Sequence, residues 1–234
     1  MKMQKTILTV TFFVLCAISS FAQDKNAVTF IASNVAAKSD ADIIARAGEW
    51  ISALHLNDAA KEDRVKAAIA THLRAVRDWH NEHPASTVPA GINPATGNHL
   101  SDMDRDIIAN SAMPKSVHDG LMKVLNTELT PEEVETVLDK YTIGKVAFTL
   151  QGYKAIVPDL KPEEEAQILV YLKQAREQAI DYKNMKEISA IFEIYKTKCE
   201  QYLNSNGRNW HQLFKAYVDA AKAKKATEKQ KQKN

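Results

Sequence analysis

Apolar residues along this chain recur at every third or fourth position, the spacing of a helix with one buried face. Ile43, Ala47, Trp50, Ile51 and Leu54 share such a face and predict a helix over 41–55. Asp58 opens a second pattern, which carries Val65, Ile69, Leu73 and Val76 and runs to Glu82. Shorter helices follow at 101–111 and 115–126. At "LTPEEVETVL" Thr130 is the N-cap, Pro131 takes the first helical position and Glu133 closes a capping box. "LKPEEEAQIL" repeats the proline and the acidic first turn, which suits the positive end of the helix dipole. In "KVAFTLQGY" Val146, Phe148 and Leu150 alternate like a strand, while Val146, Leu150 and Tyr153 fit a helix. Helical neighbours on both sides decide for helix. Long helices at 162–183 and 186–205 come next, and Gly207 supplies a C-terminal stop. A last helix from Asn209 brings Trp210, Leu213, Phe214 and Tyr217 to one side.

The pattern describes a single all-α, helical-bundle-like domain of about seven or eight helices. Its longest irregular stretch is 83–99, with three prolines, two glycines and two asparagines up to Asn98. Loops of that length are disproportionately functional.

The first 22 residues stand outside this pattern. Lys2 and Lys5 precede an apolar run from Ile7 to Ile18, and Ser20-Phe21-Ala22 forms a small-x-small cleavage site. These are the parts of a signal peptide cleaved after Ala22, which places the mature protein in the periplasm or outside the cell. Leu15 is a poor neighbour for lipidation of Cys16. No segment is apolar for long enough to span a membrane. Cys199 then has no partner cysteine, so the fold rests on its core.

Charge divides the chain. The formal +2 falls to zero without the leader, and the tail 222–234 carries six lysines against Glu228. That leaves the body, 23–221, about five charges negative, with no basic face for nucleic acid. The tail reads as a frayed, disordered extension, or as a contact for an acidic polysaccharide or anionic head groups.

Two stretches look like chemistry. In "RDWHNEHP", 77–84, Trp79, His80 and His83 fall with the preceding His72 and Val76 on one side of the second helix. The histidines of H-N-E-H are three apart and lack a third ligand, so no metal is assigned, nor any cofactor. Trp79 and His80 are either a packed helix end or, with Asn81 and the following loop, a ring and rim for a sugar. In 175–207, Arg176 sits at the edge of an apolar face, while Glu177 and Asp181 are four apart. They make either a solvated face or an arginine–carboxylate cluster that grips a polyol.

The second stretch also carries a resemblance. The run A-R-E-x-A-x-D, then F-x-x-Y-K, then Y-L-x-x-x-G is similar to a family of secreted bacterial proteins of unknown function. Its members occur in polysaccharide-degrading bacteria and bear a sugar-binding label. The matching residues include Ala175, Arg176, Glu177, Asp181, Phe192, Tyr195, Lys196, Tyr202 and Gly207. The resemblance implies a secreted helical domain that binds carbohydrate, and adds Tyr195 and Lys196 to the candidate ligand residues. A glycoside hydrolase or lyase, and a structural or assembly partner, remain as alternatives. Glycoside hydrolysis would need two carboxylates at a set separation.

Overall fold

A computed structural model describes residues 25–231 apart from Ala95. The leader, with its cleavage site and Cys16, lies outside the described residues. Nine α-helices occur among those described: α1 Lys25–Ser52, α2 Ala59–Glu82, α3 Asp102–Ser111, α4 Lys115–Glu128 and α5 Pro131–Thr142, then α6 Lys145–Ile156, α7 Pro162–Ala179, α8 Met185–Ser205 and α9 Trp210–Lys231. A 3-10 turn spans Ala85–Thr87, and a lone bridge joins Ile92 to His99. No helix among the described residues is long and apolar enough to cross a membrane. "KVAFTLQGY" is helical as α6. The chain divides between Ser39 and Asp40, and everything below concerns the compact unit from Asp40 onward.

Local chemistry sets the helix ends. The Asp58 carboxylate accepts the Lys61 amide at 3.0 Å and starts α2. Ser101 with Asp104 and Thr130 with Glu133 form capping boxes on α3 and α5. Between α1 and α2 the chain turns on His55 and Asn57, both at positive φ. Between α5 and α6 it turns on Ile143 and Gly144, at φ 54° and 65°. A β-branched residue resists that region, so Ile143 holds local strain of roughly 1–2 kcal/mol.

Two apolar clusters fill the fold. The first gathers Ile43, Ala47 and Ile51 of α1 with Val65 and Ile69 of α2, Leu121 and Leu125 of α4, and Val134 to Tyr141 of α5. The second gathers Val146 and Tyr153 of α6, Ile168 to Ala179 of α7, and Ile188 to Leu203 of α8. Cys199 lies wholly inside it, where burial pushes its thiol up to about 11. Inertness, not reactivity, suits that position.

Helix α7 stops at Ala179, four residues short of the span its periodicity suggests. The reason is a division of labour. Ile180 packs into the first cluster, Tyr182 into the second, and the Asn184 side chain caps α8 by accepting from Lys186 and Glu187 amides. Asp181 sits in this turn. At the other end, α9 spans Trp210–Lys231 and takes in part of the lysine-rich segment, with the side chains of 219–228 exposed.

Candidate functional site

The turn after α7 puts a carboxylate against two histidines. His72 of α2 donates from Nε2 to Asp181 Oδ1 at 2.9 Å, and His118 of α4 donates from Nδ1 to Oδ2 at 2.9 Å. A carboxylate only accepts, so each ring must carry its proton on the nitrogen facing Asp181. His72 is buried, and its Nδ1 has no hydrogen-bond partner among the described residues. A neutral ring with the proton on Nε2 leaves an idle acceptor there, which costs less than an idle N–H.

His118 differs in being half-buried. Its Nε2 lies 3.8 Å from Glu177 Oε1, so when protonated it is flanked by carboxylates on both edges. The Asp181 hydrogen bond raises the His118 pKa above its ordinary value, against the effect of burial. Burial acts to raise Asp181, but the bonds from His118 and His72 outweigh it and hold the carboxyl below its usual value.

These groups border a cleft of about 540 Å³ between the α3–α4 corner and α7–α8. Asp119, Glu177 and Asp181 supply carboxylates, and Asn110, Gln174 and Gln178 supply amides. Tyr182, Tyr195, Met113 and Pro114 give it an apolar side. Lys115 is its lone lysine, so the lining is net acidic. Among the described residues no group of three or more His, Cys, Asp or Glu could hold a metal ion.

The expected site residues separate into four places. Glu177, Asp181 and Tyr195 come together in the cleft. Arg176 turns away from them, buried against α5, where it pairs with Glu135 and Asp139 at 2.7 Å each. Lys196 pairs with Glu193 at 2.9 Å beside a different groove, between α6, α8 and α9. Trp79 and His80 stand at the end of α2, outside the cleft lining. The Trp79 indole donates to the Ala109 carbonyl at 3.1 Å and stacks on His83 with centroids 3.7 Å apart.

His80 belongs to a second buried carboxylate. It donates to Glu187 at 2.6 Å, while Asn184 and Asn110 donate side-chain amides to the same group at 2.6 and 3.3 Å. Asn110 reaches from there to the cleft wall, so His80 touches the site only at one remove. The loop 83–99 packs on α3, where Arg105 donates twice to the Val88 carbonyl, and none of its described residues lines the cleft.

Residues 40–223 match one family model, described as a protein of unknown function. The chain belongs to the DUF3826 family. The DUF3826 region contains both histidine–carboxylate networks and the whole cleft lining, and the family description carries no ligand or reaction. No curated protein matches the sequence.

His118 and Asp119 were not evident as site residues from sequence. A signal was present, because His118 sits three and seven residues before Leu121 and Leu125, on the edge of the buried stripe of α4. Gln174, Gln178 and Asn110 gave no comparable sign.

Proposed function

We propose that this cleft binds a neutral, hydroxyl-rich ligand, a saccharide, in an exported protein that works beside polysaccharide-degrading enzymes. One observation carries the reading. A cleft of about 540 Å³ gathers carboxylate acceptors, amides that both donate and accept, and an imidazole edge, next to the ring of Tyr195. Small-molecule sites combine apolar surface with a few convergent polar groups in this way. The acidic lining disfavours uronate or sulfated sugars and favours neutral ones. The export half of the proposal rests on the leader's charge and apolar pattern. Binding of mature protein to an array of neutral oligosaccharides tests the ligand class. The expected result is at least one hit that Glu177→Gln weakens about tenfold; an array with no hit refutes the reading.

The His118–Asp181 pair supports a second reading, in which the same ligand is turned over. Asp181 fixes the Nδ1 proton, which leaves Nε2 as the edge able to take or give a proton near Glu177. Chromatography of any array hit after incubation with the protein separates the two. Products that disappear with His118→Asn would make the protein a glycoside hydrolase or lyase; an unchanged glycan keeps it a binder.

A further inference from the structure

Helix α9 places Trp210, Phe214 and Tyr217 on one face, spaced four and three residues apart. The Trp210 ring is anchored on Tyr153 at 5.1 Å between centroids and leads to Phe214 at 6.0 Å. Phe148 of α6 stands across from this row and is 79 % exposed, with Phe214 at 47 % and Tyr217 at 42 %. These four rings line one groove of about 540 Å³ between α6, α8 and α9. Apolar rings left open around a common groove are the mark of a binding surface more than of a spare exterior.

The groove is also kept open at a cost. Gly152 lies inside α6 and lines it, and a Cβ built there would meet nothing within 4 Å. Glycine in a helix interior is about 1 kcal/mol less favourable than alanine. Packing does not demand it here, whereas any longer side chain would project into the groove.

Charge and hydrogen bonding narrow the occupant. Lys145, Lys196, Glu193 and Glu200 line the groove and cancel formally. Lys196 is held by Glu193, and Lys145 lies over the Phe192 ring at 5.6 Å. Half-buried Glu200 makes no hydrogen bond or ion pair among the described residues. Burial raises its carboxyl above the usual range. An uncharged ligand with hydroxyls for Glu200 and C–H faces for the rings satisfies all of these groups. Trp210 to Tyr217 spans about 10 Å along the helix, which suits an extended chain.

We propose that this groove is a second carbohydrate site, which takes a neutral polysaccharide chain by stacking on Phe148, Phe214 and Tyr217 with hydroxyls accepted by Glu200. It shares its ligand class with the cleft but stands on different residues. The test uses mature protein and soluble neutral polysaccharides (xylan, mixed-linkage β-glucan, galactomannan and amylopectin) in affinity electrophoresis and calorimetry. Gly152→Gln and Phe148→Ala should melt at or above the wild-type temperature and weaken binding of the retained polymer at least tenfold, while Lys186→Ala, exposed on α8 and outside both sites, leaves it within twofold. Groove variants that bind like wild type would overturn the proposal and leave the cleft untouched. Wild-type protein that binds none of the polymers would overturn it too, with the cleft judged separately on short oligosaccharides. Self-association of the wild type that Phe148→Ala abolishes, in light scattering, would make the groove a contact between copies and likewise end the proposal.

Discussion

Arg176 and Asp181 stand five residues apart, bear opposite charges and are each tied to two partners, yet they lead different lives. The Arg176 side chain is 3 % exposed and closed in by Glu135 and Asp139. The Asp181 side chain is 21 % exposed, and its partner His118 keeps one nitrogen toward the cleft. One arrangement spends its bonds on the fold, apart from an Arg176 Nε–H that finds no acceptor among the described residues. The other holds some in reserve. A charged residue in a dense motif therefore says little about ligands until its free edges are known.

Substitutions can break this contrast. Arg176→Ala should cost the most, about 3 kcal/mol in a urea melt, because two carboxylates lose a desolvated partner. Arg176→Lys should recover only part of that, since a point charge cannot span both carboxylates as the guanidinium fork does. Equal stability of Arg176→Ala and wild type would place Arg176 with the ligand groups instead. Trp79→Ala should cost about 2 kcal/mol, as a half-buried ring with one hydrogen bond is lost, and should leave glycan binding intact.

Asp181→Asn should cost about 1.5 kcal/mol, since an amide cannot accept from both histidines. Its cost should also depend on pH. The raised His118 pKa means that this residue's contribution is complete below 6.5 and fades as pH rises through the higher folded value. The lowered Asp181 pKa means that its own contribution is complete above 3.8 and is lost only as pH falls through the lower folded value. The gap between wild type and Asp181→Asn should thus be wider at pH 5.5 than at pH 8.5. A gap that does not change would show that the pair does not couple to folding. The smallest effect belongs to exposed Glu177, where Glu177→Gln should alter stability by less than about 0.5 kcal/mol and act on binding alone.

Helices α2 to α8 were legible in the sequence to within a few residues, because capping boxes, prolines and a 3.6-residue period all act locally; α1 instead starts at Lys25, sixteen residues before the expected 41 and ahead of its apolar stripe. The end of α7 was not, since Ile180 continues the period while serving the other cluster. The site was half legible. Glu177 and Asp181 announced themselves by spacing, but their histidine partners come from α2 and α4, and no local rule pairs residues that far apart. Arg176 and Glu177 part for the same reason: adjacency in the motif hides the fact that they point to different neighbours.

That separation has a consequence for the order of assembly. The His72–Asp181 and His80–Glu187 bonds join residues 109 and 107 positions apart, whereas Arg64–Glu128 between α2 and α4 spans 64. As the chain emerges from its N-terminal end, α2 and α4 can pair while α7 and α8 have yet to appear. Two histidines on α2 must then wait, without their acceptors, for the last third of the protein. Loop closure makes such distant contacts slow to form. The cleft is therefore among the last parts to exist, and an intermediate stalled before residue 181 would hold most of the first core and no cleft.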